Sequence, residues 1–223
     1  MPTKPIQSIA EQLNSAQVAI SNALADAEIQ SRVAAFGYPS DKLNEGKALL
    51  DAARAAVQAQ QAAEGQQRAC TERLQTATQD ARDAYQALAQ VARAVFAQDK
   101  PKLVTLQLNG AMPRTTAAFL QAAYTLFDNA LGAADISSAL ANYGYPPAKL
   151  QSERAKIVAC DEANQAQEAA KGAAQQATQT QAAALDALDT WLAQFVNIAK
   201  VALRAQKQLL EKLGIVARTT APR

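Results

Sequence analysis

Histidine does not occur anywhere in the sequence, which removes the commonest general base at neutral pH and the commonest transition-metal ligand. Histidine-based triads, zinc sites with histidine and the helical Glu-x-x-His signature of di-metal bundles are thereby excluded. The two cysteines, Cys70 and Cys160, lack Cys-x-x-Cys spacing, so neither a structural zinc site nor a thiol redox motif is expected. Both fall in long helical patterns at non-equivalent places, and no disulfide framework is suggested. Aromatic residues make up 5% of the chain and charged residues 19%, with a net charge of +2. That balance offers no broad basic field, and nucleic acid is not an expected partner. No stretch of eighteen apolar residues is present, so no membrane span is expected. The opening Met1-Pro2-Thr3-Lys4-Pro5 is polar and unlike a secretory signal, which makes the cytoplasm the expected location. Neither glycine-rich phosphate motif occurs. No catalytic residue, cofactor or metal ligand is assigned, and the chain is read as not an enzyme.

What is present is helix-forming. Alanine supplies 55 residues and glutamine 26, while glycine and proline number eight each and cluster at a few points; this composition predicts an all-α protein. The chain is also internally repeated. Gly37-Tyr38-Pro39 returns as Gly144-Tyr145-Pro146, 107 residues on, and at the same spacing Asn22, Ile29, Lys42, Leu43 and Gly65 meet Asn129, Ile136, Lys149, Leu150 and Gly172. A second echo, Arg114-Thr115-Thr116-Ala117 against Arg218-Thr219-Thr220-Ala221, stands at 104. The reading is an internally duplicated helical bundle with a first repeat over 1–111 and a second over 112–223, sharing one core, in which two long coiled-coil-like helices accompany two shorter ones.

Each repeat predicts a shorter helical segment, a sharp corner and a long helix. Ile6, Ile9, Leu13, Ala16, Ile20 and Leu24 recur at steps of three and four along one face, and Asp26 is a plausible cap for a continuation carrying Ile29, Val33 and Phe36. The second copy is richer in aromatics, with Phe119, Tyr124, Phe127 and Tyr143 on the same face. At the corner, Gly37 and Gly144 supply the left-handed residue that ends a helix, Tyr38 and Tyr145 pack back onto it, and Pro39 and Pro146 forbid continuation. Capping explains every member of the motif, so the tyrosines are read as structural rather than ligand contacts. Ser40 is the expected cap of the next helix, and Pro147 suits the first turn of its counterpart.

From Asp41 to about Gln98, and from Ala148 to about Gln206, no proline occurs and a single glycine interrupts the helix formers, Gly65 in one and Gly172 in the other. Continuity is favoured over a hairpin, giving helices of roughly 85 Å and an elongated scaffold. A heptad over Cys70, Leu74, Ala77, Ala81, Ala84, Leu88, Val91 and Val95 is matched by Ala177, Gln181, Ala184, Leu188, Trp191, Phe195, Ile198 and Ala202. The alanine and glutamine middle buries little and is expected to be the least stable part. The link from Asp99 to Pro113, and Leu209 to Val216 in the second copy, carry apolar residues expected to plug the bundle end, or else to form a partner surface.

Candidate functional residues are few. Asp80 with Asp83, and Asp186 with Asp189, stand one turn apart, as carboxylates on exposed helix faces routinely do. Lys200, Arg204 and Lys207, with Arg218 and Arg223 beyond, form a basic stripe that reads as a solvated face. Phe119, Tyr124, Phe127, Leu188, Trp191 and Phe195 are more readily core than ligand box, yet any pocket or interaction site is expected among them. The Gly-Tyr-Pro corner, the Lys-Leu pair after it, the alanine-glutamine helix and the aromatic-rich second copy resemble duplicated all-helical bacterial proteins of unassigned function. The resemblance spans nearly the whole chain, implies a helical scaffold and transfers no catalytic residue. A non-catalytic structural or protein-interaction role is therefore expected, with another protein or a second copy as partner. The alternative is a bundle that binds a small apolar molecule or peptide between the repeats.

Overall fold

The computed structural model describes residues 8–215, and among these eight helices form and no strand. In chain order they are α1 (Ile9–Ala25), α2 (Ala27–Ala34), α3 (Ser40–Val95), α4 (Lys100–Thr105), α5 (Thr116–Gly132), α6 (Ala134–Ala141), α7 (Pro147–Ala202) and α8 (Lys207–Lys212). Their lengths run 17, 8, 56 and 6 residues, and then 17, 8, 56 and 6 again. The expectation of two long and two shorter helices thus undercounts the short ones. Asp26 and Ala133 each end one helix and begin the next, and the segments read as plugs are helical. In α4 the side chain of Asp99 accepts from the Lys102 N–H at 3.2 Å and Pro101 stands in the first turn, a start signal that apolar periodicity does not register.

Both long helices pass through their glycine unbroken, and a Cβ at Gly65 or Gly172 would meet nothing. Ser40 is already inside α3 and does not cap it: the Leu43 N–H closes the first turn on the Pro39 carbonyl, as Leu150 does on Pro146.

The corners are Schellman caps. The Tyr38 N–H donates to the Val33 carbonyl and Gly37 to Ala34, with Gly37 at φ 87°. Tyr145 and Gly144 repeat the pattern on Leu140 and Ala141, with Gly144 at φ 82°. The short helices α4 and α8 end the same way, with Leu108 on Leu103 and Ile215 on Leu210. In each case an apolar residue just past the turn shares a core with the one whose carbonyl it caps, the contact that accompanies this motif. The left-handed residue is glycine at three of the four ends and Gln107, at φ 52°, at the fourth.

Two compact units emerge, and they do not coincide with the repeats. One joins the chain up to Glu64 with the chain from Ala174 on; the other is Gly65–Ala173. Each therefore takes the head of one repeat and the tail of the other. In the first, α1, α2 and the start of α3 enclose Ala16, Ile20, Ile29, Val33 and Leu43 with Leu188, Phe195, Leu203 and Leu210 of α7 and α8. In the second, the end of α3 and α4 bring Ala84, Leu88 and Leu106 against Phe119, Leu126, Phe127, Leu140 and Leu150. Within each unit α3 and α7 run antiparallel. Tyr38 meets Phe195 and Gly46 meets Trp191 in one; in the other Thr78 touches Cys160 at 3.6 Å and Asp80 stands by Lys156.

The buried stripe departs from the expected seam near the helix ends. Ala81, Ala84 and Leu88 are buried as read, but Val91 and Val95 are half-buried while Ala92 and Phe96 are enclosed. The same shift turns Ala199 and Leu203 inward beside Ile198 and Ala202, because α4 and α8 fold back and present a second surface there. On α1 the enclosed residues are Ala16, Ala19, Ile20 and Ala23, with Leu13 and Leu24 half-buried and Ile9 exposed; Ile6 lies outside the described residues.

Candidate interaction surfaces

The six residues singled out as a pocket or interaction site divide between the two cores. Phe119, Phe127 and half-buried Tyr124 belong to the unit of Gly65–Ala173, and Leu188, Trp191 and Phe195 to the other. Phe119, Phe127, Leu188 and Phe195 have no exposed surface. Around Trp191 the ring of Phe195 stacks at 5.2 Å and that of Tyr38 stands edge-on at 5.8 Å. The indole lies directly on the backbone of α3 at Gly46, where any Cβ would overlap its six-membered ring. The counterpart positions, 107 residues away, are Ala84 and Glu153. The Trp191–Gly46 fit is thus particular to this unit; in the other, Ala84 is buried and Glu153 pairs with Lys156 at 2.7 Å. Among the described residues the Trp191 N–H finds no acceptor, a cost of roughly 1–3 kcal/mol that the packing offsets.

The corner tyrosines are likewise core. Tyr38 and Tyr145 are each 6% exposed, and burial pushes both phenols above their ordinary range. They stay protonated at neutral pH and are poor bases. Lys149 lies over the Tyr145 ring at 4.2 Å. Tyr124, raised by burial and then by Asp161, donates to that carboxylate at 3.2 Å, while Arg154 pairs with Asp128 at 2.5 Å beside it.

Two aromatics read as part of the buried face are exposed. Phe36 is 48% and Tyr143 63% accessible, and they occupy the same place in the two repeats. The cause is local: the Phe36 N–H closes on the Val33 carbonyl and Tyr143 on Leu140, so the tightened turn swings both side chains off the helix face. The signal was in the sequence as two aromatics directly before the repeated glycine. Lys200, Arg204 and Lys207 are exposed, as are Asp80, Asp83, Asp186 and Asp189; Arg218 and Arg223 lie outside the described residues. Among the described residues no three Cys, Asp or Glu side chains gather as a metal site, and no helix is long and apolar enough to cross a membrane.

One groove, of about 360 Å³, lies inside the first unit between α1, α7 and the end of α8, lined by residues including Ser15, Val18, Leu192, Val196 and Ile215. Close by, Asn22 donates to the Lys212 carbonyl at 2.5 Å, and in the other unit Asn129 donates to Thr105 at 2.6 Å. The repeated asparagine is therefore the clasp of each short helix, a role that the sequence match alone did not disclose. Comparison with protein-family models, curated proteins and solved structures finds no match to this chain.

Proposed function

We propose that the chain is a non-catalytic helical scaffold of the cytoplasm, built by internal duplication with a coiled-coil-like seam, that works by binding another protein or a further copy of itself. The observation that carries this reading is the division of labour among aromatic residues. Phe119, Phe127, Trp191 and Phe195 are consumed by cores, whereas Phe36 and Tyr143 are left exposed at repeat-equivalent corners, where a large apolar side chain gains nothing from the fold. An exposed aromatic on a rigid, capped turn is suited to anchoring in a partner's pocket. The test is quantitative affinity capture with the full chain and with Phe36→Ser/Tyr143→Ser, alongside sedimentation of both. The expected result is selective loss of a partner, or of self-association, with unfolding unchanged within about 0.5 kcal/mol. Identical partners and identical mass for both proteins would overturn the proposal.

A further inference from the structure

Neither core is enclosed by one half of the chain alone. In the unit that joins the chain up to Glu64 with the chain from Ala174 on, Ile20, Ile29, Val33 and Leu43 of the first half close on Leu188, Phe195, Leu203 and Leu210 of the second. In the unit of Gly65–Ala173, Ala84, Leu88 and Leu106 of the first half close on Phe119, Leu126, Leu140 and Leu150 of the second. The polar clasps follow the same rule: Asn22 donates to the Lys212 carbonyl, Asn129 donates to the Thr105 carbonyl, and Lys102 pairs with Asp135 at 3.0 Å. The halves are joined covalently through the link Asn109–Arg114, which is exposed apart from half-buried Met112 and Pro113. Arg93 donates to the carbonyls of Leu108 at 3.4 Å and Gly110 at 3.2 Å, and Arg82 to that of Arg114 at 3.5 Å, so the link runs along α3 within its own half.

We propose that the chain pairs with a second copy by exchanging halves, the first half of each copy closing on the second half of the other. Every contact inside both cores is then kept and only the course of the link changes, the low-cost route by which identical chains join. The proposal rests on the reading that the chain joins a further copy of itself, and it names the core faces as the surface in place of Phe36 and Tyr143. Within one copy the short link gives the halves an effective concentration of about millimolar, so single chains prevail in dilute solution and exchange grows with concentration. The length of the link sets that balance. From Arg93 to Arg82 it follows α3 for about 16 Å, at roughly 1.5 Å per residue. Without Gly110–Pro113, Leu108 and Arg114 would stand two Cα steps apart, about 8 Å, too short to follow that course within one copy. In a pair of copies the link is released from α3 and need not make the span.

The contact of Thr78 with Cys160 at 3.6 Å joins the two halves and supplies the test. Thr78→Cys with Cys70→Ala leaves one thiol in each half, and the disulfide formed between them reports which copy supplied each. All proteins also carry Phe36→Ser and Tyr143→Ser, so that association through the exposed aromatics is absent and failure here is distinct from failure of that reading. The full chain and a chain lacking Gly110–Pro113 are unfolded in urea with reductant, refolded dilute and concentrated, oxidised with glutathione disulfide and separated by mass without reductant. Circular dichroism establishes that each is folded. For the full chain the expected result is internal disulfides when dilute and several-fold more linked dimer when concentrated; for the shortened chain it is linked dimer throughout. A full chain that forms internal disulfides alone at every concentration overturns the proposal, and that arm decides by itself if the shortened chain does not fold.

Discussion

Gln107 holds a φ of 52° at a helix end where the three related corners use glycine. A side chain in that conformation costs roughly 1–2 kcal/mol, and Gln107 is exposed, so nothing is lost by removing it. Gln107→Gly is expected to raise stability by about 1 kcal/mol in urea unfolding, and Gly37→Ala or Gly144→Ala to lower it by a similar amount; a destabilised Gln107→Gly would refute the cap assignment. Asp26 is the second informative residue. Lys212, and then the Ile29 N–H, hold its carboxyl below the ordinary 3.8. A depressed folded pKa means that the stabilisation is present above the unfolded value and is lost as pH falls through the folded one. NMR titration is expected to place Asp26 below 3.8, and Asp26→Asn to remove part of the acid-side loss of stability. A carboxyl titrating at or above that value would contradict the bond to Lys212.

At the scale of elements, α3 and α7 show what periodicity reads well and what it does not. Their existence, their continuity and the corners that precede them were legible, because helix propensity and capping are local. Gly65→Ala and Gly172→Ala fill open space within a helix and should each stabilise by roughly 0.5–1 kcal/mol. Loss of stability on either change would mean that the helix is interrupted there. Helices α4 and α8 were not legible, since six residues are too few for a periodic signal and a cap plus an asparagine clasp from another helix completes them. The displaced burial at Ala92, Phe96, Ala199 and Leu203 follows from the same hidden elements. Around the glycines the buried stripe thins to half-buried Ala63 and Gln67 and to buried Gln167, Ala170 and Ala174. Amide exchange is therefore expected to be faster there than around Leu88 or Leu188, and uniform protection along α3 would refute that.

For the whole molecule, the matching residues 107 apart were plain in the sequence, but which segment packs on which was not, because pairing across a hundred residues leaves no trace in composition or spacing. The fit of Gly46 to the Trp191 indole is the mark of that pairing in the first unit. Phe119, Phe127, Leu188, Trp191 and Phe195 were legible as more readily core than ligand box and are core, but their division between two cores depends on that same pairing and was not legible. The claim is tested most directly by the unfolding free energy of Gly46→Ala in two backgrounds. With Trp191 present the new methyl meets the indole, and a loss of about 1–3 kcal/mol is expected. With Trp191→Leu the obstacle is gone, and the same change should become neutral or stabilise by up to about 1 kcal/mol. An effect of Gly46→Ala that is the same in both backgrounds would show that the head of the first repeat does not rest on the tail of the second.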